Sequence, residues 1–385
     1  MRDRPMDPWL RPGPTAESVA AARRVSTLAA ARADAQDRDD GFPAEDVADL
    51  AQAGLLAAPV PAEEGGAGLG EEPGAADLVA VLRLVGSGSL ALGRLYEGHV
   101  NALQLVARYA APAERHALFA EARAGHLFGV WNTEPPSDGL LLGADGRLSG
   151  VKTFASGAGH VTRALVTARR PGEARPLMLV VALEPGTRAD LSAWRAQGMR
   201  ASATGTVDLT GLAPVALLGG PDDYHRQPHF SGGAWRFAAV QLGGIEAVFE
   251  AWRGHLARTG RGADPHQLAR LGEGAIALEG ARLFVGRAAA VMAEGASAKG
   301  ALPVERVVAF VDLARIAVER AGLEVLGLAQ RSVGLQGFLR GHPLERLSRD
   351  LATYLRQPAP DRALTAAAAT ILAAEEPVAA LWEAR

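Results

Sequence analysis

The chain has 385 residues, with 40 Lys+Arg against 43 Asp+Glu, 9 His and no cysteine. Absence of cysteine excludes disulfides, zinc–thiolate and iron–sulfur centres and thiol nucleophiles. A net charge of −3, with 48% hydrophobic and 22% charged residues, describes an ordinary globular composition without a global pull toward nucleic acid or anionic membrane. Nearly all the positive charge is Arg, since Lys152 and Lys299 are the only lysines. Any redox chemistry here therefore uses oxygen and nitrogen groups or a borrowed cofactor.

No run of residues matches the eighteen or so apolar positions needed to cross a bilayer, and the charged, Pro-containing N-terminus lacks a signal-peptide core. The expected location is the cytoplasm, with residues 1–14 as a disordered tail. Residues 15–124 read as an all-helical domain. A long Ala/Arg segment runs from Thr15 or Ser18 to about Asp37, and Phe42-Pro43 opens a second helix with Val47, Leu50 and Leu55 on one face. After the Pro/Gly-rich loop of residues 54–70, helical periodicity returns over Ala75–Val85, Ser89–Ala110 and Pro112–Ala124.

Residues 125–222 change character. Short apolar runs separated by turn residues (His126–Asn132, Leu140–Leu142, Leu148–Phe154, Arg163–Ala168, Leu177–Leu183 and Gly205–Leu209) predict a small antiparallel barrel or sandwich. Residues 223–385 read as a bundle, with helices over Ala234–Arg258, Pro265–Glu294, Pro303–Val333, Pro343–Gln357 and Asp361–Leu381. Gly243, Gly244, Gly272, Gly274, Gly280 and Gly286 lower helix propensity there, so close helix contact is expected to compensate. The fold class is thus α+β and mostly α, with a central antiparallel β-barrel between two helical domains.

Common site motifs fail. Gly65–Gly70 lacks dinucleotide-fingerprint spacing and follows a loop, Gly146…Gly150-Val151-Lys152-Thr153 places its Lys one residue late for a phosphate loop, and the histidines show no metal spacing. No metal site is expected.

Six segments, in order, resemble the acyl-CoA dehydrogenase superfamily. They are Phe42-Pro-x-Glu…Val60-Pro61-x-Glu-x-Gly-Gly-x-Gly, Trp131-Asn132-Thr133-Glu134-Pro135-Pro136-Ser137-Asp138, Leu148-Ser-Gly150-Val-Lys152-Thr-Phe154-Ala-Ser156-Gly157, Gly198-Met199-Arg200 with Gly205-x-Val207-x-Leu209, Glu324-Val-Leu-Gly327, and Glu345-Arg346-x-x-Arg349-Asp350. The resemblance implies a helical N-terminal domain, a β-barrel and a four-helix-type bundle around non-covalent FAD. By position it implies flavin contacts from the backbone of Trp131, Asn132 and Thr133, a pyrophosphate contact from Ser137, Phe154 over the ring and the Ser156 hydroxyl near N5. At the adenine end it implies Arg258 (or Arg261), Glu324 and Gly327, although Glu324 replaces a Gln and Leu328 a Gly.

The activity implied is α,β-dehydrogenation of an acyl-CoA thioester with hydride transfer to flavin N5, electron-transfer flavoprotein as acceptor, and a homodimer or homotetramer built through the bundle. The family's catalytic Glu is missing. Pro358 stands at one of its two positions, in Gln357-Pro358-Ala359-Pro360, and Ser231-Gly232-Gly233 at the other. Asp361 reads as a helix cap. Related flavin-dependent monooxygenases, which take reduced flavin from a reductase, also lack the Glu; Arg94-Leu95-Tyr96-Glu97-Gly98-His99 resembles theirs, with His99 and Gln357 at their two His positions. His99 and Gln357 are therefore the candidate catalytic residues, and a catalytically silent flavin-binding paralogue is the third alternative.

Overall fold

The computed structural model describes residues 14–70, 74–136, 139–296 and 302–383. The expected tail of residues 1–14 falls outside them, apart from Pro14. Five helices come first: α1 (Pro14–Gln36), α2 (Ala44–Gln52), α3 (Ala75–Gly88), α4 (Leu90–Tyr109) and α5 (Pro112–Arg123). Ser89 breaks α3 from α4 in extended conformation, and its Oγ accepts the Leu92 N–H at 3.3 Å, satisfying a first-turn donor of α4.

Nine short strands follow: β1 (Phe128–Trp131), β2 (Leu141–Leu142), β3 (Leu148–Ser149), β4 (Val151–Ala155), β5 (Arg163–Ala168), β6 (Leu177–Ala182), β7 (Ala189–Asp190), β8 (Gly205–Asp208) and β9 (Ala216–Leu218). They form sheets ordered β1-β5-β6-β9, β2-β3 and β4-β8-β7. Pairing is antiparallel apart from β1 and β5, which run parallel. The chain between them is long enough for the crossover that a parallel pair needs, a pairing that local periodicity does not reveal. The run Leu148–Phe154 is two strands, because Gly150 at φ +121° turns the chain between β3 and β4. Two strands were unexpected: β7 is two exposed residues, and β9 only three.

The bundle holds α6 (Trp235–Arg258), α7 (Pro265–Ala296), α8 (Val304–Val333), α9 (Pro343–Tyr354) and α10 (Pro360–Leu372). The last helix stops nine residues short of the expected Leu381, ahead of Pro377, whose ring disfavours helical backbone before it. Among the described residues no helix is long and apolar enough to cross a membrane.

One apolar core runs through α1, α3, the β region and the bundle, and a smaller one under α4 and α5 gathers Val106, Phe119, Phe128, Leu165 and Val180. Two of the resemblance segments meet where the β region docks on the bundle. The Met199 N–H donates to Asp350 Oδ1 at 2.6 Å, while Arg349 and Arg200 both hold Asp37 of the α1–α2 turn, at 2.6 and 2.9 Å. Burial alone would raise the Asp37 carboxyl; the hydrogen bonds and charges of Arg200 and Arg349 outweigh it and hold the group at about 2. This segment is a structural clamp.

Candidate functional site

Strands β1 and β4 lie side by side, and the Thr153 N–H donates to the Thr133 carbonyl at 2.9 Å just beyond β1. That contact brings Asn132 and Thr133 alongside the β4 segment that carries Phe154 and Ser156. Phe154 is 67% exposed, an unusual position for a large aromatic, and sits at φ +51° in the left-handed region. Its ring meets Trp194 edge-on, with centroids 6.4 Å apart. Thr133 is exposed beside it and Ser156 is half-buried. An uncovered aromatic held in strained backbone, flanked by hydroxyls, is an apolar wall with polar edges. Such a wall fits one face of a tricyclic flavin ring.

The residues behind this face hold it rigid. Trp131 is buried, and its indole N–H donates to the Ser156 carbonyl at 3.0 Å, so its side chain anchors Ser156. The Ser156 hydroxyl accepts from Thr204 at 3.4 Å. Lys152, 0% exposed, donates to Glu134 Oε1 at 2.6 Å and to Thr167 Oγ1 at 3.0 Å. Thr167 then donates to Asn132 Oδ1 at 2.9 Å. The direction of that chain fixes the Asn132 amide, leaving its NH2 group without a partner among the described residues and able to donate. Burial lowers the Lys152 pKa, and Glu134 pulls it back up.

A cavity of about 910 Å³ adjoins β1 through Val130. Its walls come from α4, the segment before α6, α6, α7, α8 and the α9–α10 connection. Ser231, Gly233 and Pro358 all line it, so the two positions where the family keeps its base meet in one space and neither carries a carboxylate. Among the described residues, the acids lining it are Glu97 and Asp312. Glu97 is held by Arg94 and by the Asn101 amide. Asp312 faces Arg315 at 3.7 Å, and burial raises its pKa against the opposing charges of Arg315 and Arg362. Among the described residues no three His, Asp or Glu gather as metal ligands.

His99 does not line this cavity. It is 0% exposed, with Nε2–H donating to the Leu56 carbonyl at 2.7 Å and Nδ1 accepting the Phe128 N–H at 3.1 Å. Its ring packs against Tyr96 and edge-on against Phe128. Both nitrogens are committed to backbone, and burial lowers the pKa to about 4. His99 joins α4 to β1, a role that departs from the pocket-lining one implied by the resemblance. The Gln357 side chain turns back to the Tyr354 carbonyl at 2.8 Å beside the cavity-lining Pro358. Asp361 is exposed in the first turn of α10 and is absent from the cavity wall.

Arg258 ends α6 exposed, and Glu324 and Gly327 are exposed on α8. No described hydrogen bond, ion pair or ring contact joins them to Thr133, Phe154 or Ser156. Arg261 instead reaches the Ser332 carbonyl at 3.1 Å, inside the bundle. Ser137 lies outside the described residues.

The family model for the acyl-CoA dehydrogenase N-terminal domain matches residues 17–125, and that for its C-terminal domain matches residues 227–355. Together they cover most of the chain, on both sides of the β region. The chain belongs to the acyl-CoA dehydrogenase superfamily. No curated protein matches the sequence significantly. Solved structures carry the same fold at low identity. FMN-bound TdsC from Paenibacillus sp. A11-2, a dibenzothiophene monooxygenase, is 19% identical with TM-score 0.80, over 95% of this chain and 100% of that one. KijD3, in complex with FMN and a dTDP-linked amino-keto sugar, is 22% identical with TM-score 0.81, over 98% and 97%. The methanesulfinate monooxygenase MsuC from Pseudomonas fluorescens is 23% identical with TM-score 0.75, over 97% and 100%.

Arg108, His229 and Arg236, which no sequence motif marks, also line the cavity. They come from α4, the pre-α6 segment and α6, and no local spacing connects them. The signal available was limited to the scarcity of acids near Arg236.

Proposed function

We propose that the chain binds flavin on the β1–β4 face and acts as a reduced-flavin-dependent monooxygenase on a small molecule held in the adjoining cavity. The observation that carries this reading is the lack of a carboxylate at Pro358 and at Ser231–Gly233 on the cavity wall. Dehydrogenation of a thioester requires a base for the α-proton, whereas oxygen transfer from reduced flavin does not. Two of the structural relatives are named monooxygenases, which supports the same branch.

The flavin is read as FMN rather than FAD. Glu324 and Leu328 replace the residues expected at the adenine end, and two of the relatives hold FMN. Reduced flavin would supply the electrons that activate oxygen. Phe154 would cover one face of the ring, while the Thr133 and Ser156 hydroxyls and the Asn132 amide would donate to its polar edge. The Lys152–Thr167–Asn132 chain keeps that amide pointing outward. Phe154→Ala is expected to weaken FMN binding about tenfold, a loss of ring stacking of about 1.4 kcal/mol. Fluorescence titration of FMN against both proteins measures it, with Ser156→Ala as a second variant.

Two mixing experiments test the reaction. With reduced FMN from a flavin reductase and heavy-oxygen gas, a panel of small sulfur, nitrogen and aromatic substrates is expected to yield labelled product. Mixed anaerobically with acyl-CoA thioesters, the oxidised flavin is expected to keep its colour. Bleaching by any thioester would support dehydrogenation instead. One observation favours that second reading: Asp312, a cavity carboxyl with a raised pKa, is placed to serve as base. In that case Asp312→Asn would abolish the bleaching.

Assembly of like chains is read on α7. Ile276 and Leu283 are 77% and 74% exposed on the face that also carries Gly272, Gly280 and Gly286, where an added Cβ would meet nothing. An apolar helical stripe open along its length fits a second copy of the bundle. Leu283→Asp is expected to yield a monomer by size-exclusion chromatography with light scattering, with no loss of helicity.

A further inference from the structure

The wall of the cavity where α4 and α6 approach carries more positive charge than its one described carboxylate, Glu97, balances. Arg94 and Glu97 neutralise each other, and the Asn101 amide bridges Glu97 to Arg236 Nε. That single bond leaves both Nη groups of Arg236 without a hydrogen bond or ion pair among the described residues. Arg108, about two helical turns beyond Asn101, has no hydrogen bond or ion pair there either. The two guanidiniums are close enough to repel, and together with Arg226 they press on His229. Arg226 is itself paired with Asp223.

Desolvation and the three arginines lower His229 to about 4; desolvation lowers Arg236 to about 10, with Glu97 pulling it up and Arg108 pushing it down, so at neutral pH the imidazole is uncharged and both arginines are cations. Trp235, buried under the Arg236 guanidinium at 5.7 Å from centroid, adds an indole N–H with no acceptor on the same cavity wall. Three guanidiniums around the single carboxylate of Glu97 in a desolvated space are costly unless a further anion joins them. The remaining wall there is largely apolar, with Leu105, Phe230 and Met292.

We propose that Arg108 and Arg236 bind the oxyanion of a small organic acid, of the carboxylate or sulfonate class, whose apolar body fills the rest of the cavity. A planar oxyanion takes two parallel N–H donors from the free fork of Arg236, and Arg108 closes over it. Neutral His229 on the same wall stands as a further donor. The inference rests on the reading of this cavity as the substrate site, and it names the class of substrate.

Isothermal titration calorimetry on the full chain as purified tests it, with benzoate, benzenesulfonate, neutral benzamide and coenzyme A as probes. The expected result is binding of at least one of the two small acids, at least tenfold tighter than benzamide. Arg236→Gln and Arg108→Gln should each lose tenfold or more for that acid and leave benzamide unchanged. Arg236→Lys, which keeps the charge but not the fork, should fall between, and equal thermal melting shows that the variants fold. Equal binding of acid and amide, no binding of either acid, or acid binding indifferent to both arginines would overturn the proposal. So would binding of coenzyme A alone, since the anion would then belong to a phosphate-bearing carrier. The titration needs no flavin, so FMN binding measured separately shows whether a failure lies in the anion site or in the flavin reading.

Discussion

His99→Leu is expected to cost about 3–5 kcal/mol of stability at neutral pH, because it leaves the Leu56 carbonyl and the Phe128 N–H buried without partners. The effect has a pH signature that a packing defect would lack. In the folded chain His99 takes up no second proton down to about pH 4, since burial disfavours the charged ring and Nδ1 already accepts a backbone N–H. In the unfolded chain it protonates near its ordinary value of 6.5. Between those limits the unfolded state binds the extra proton, so this group makes stability fall as pH falls from 6.5 toward 4, by about 3 kcal/mol in all. The leucine variant lacks that term. Denaturant melts at pH 7 and pH 4 should therefore show the gap between the two proteins closing by about that amount. A gap independent of pH would mean that His99 titrates freely.

The second large effect is expected at Gly243. A Cβ there would lie 2.0 Å from the Arg83 carbonyl oxygen and 2.7 Å from the Ser87 nitrogen, on the backbone of α3. Gly86 faces back, its added Cβ falling 2.4 Å from the Val240 carbonyl oxygen. The two helices cross backbone on backbone, and no side chain can rotate away to make room. Gly243→Ala should cost about 3 kcal/mol or more, at the upper end of overpacking effects, or prevent folding outright. Gly280→Ala is the control. It meets nothing in the chain and should be neutral to stabilising by up to about 1 kcal/mol, unless a second copy packs on α7.

That pair of glycines shows where sequence reading stops. Helix propensity identified Gly243, Gly244, Gly274, Gly272, Gly280 and Gly286 alike as sites of close contact. The first three do meet Arg83, Leu90 and Trp252, whereas the other three face open space. Propensity records the cost of a glycine, but the neighbour that justifies it belongs to another element. The proposed flavin face was more legible. Trp131–Thr133 and Phe154–Ser156 each sit in short ordered segments, and the backbone bond from Thr153 to Thr133 brings them together. Phe154 could be named from position alone, but its exposure and positive φ could not.

His99 was less legible, because a helical histidine beside a tyrosine reads the same whether it faces a pocket or a backbone carbonyl. Lys152 stood within a matched segment, yet its burial against Glu134 and Thr167 emerges only when β4, β5 and the loop after β1 converge.

By itself the sequence determined the helix–strand–helix order, the exclusion of thiol and iron–sulfur chemistry, and the missing carboxylate at both base positions. These follow from periodicity, composition and local motif order, which are properties of neighbours along the chain. Tertiary structure alone decided that Pro358 and Ser231–Gly233 share one cavity, that His99 is locked to backbone, and that Arg108 and Arg236 line the same cavity with unpaired Nη groups. Those facts depend on which desolvated surfaces meet. Electrostatic cost in a low-dielectric space is set by distance and burial, and neither is written in residue order.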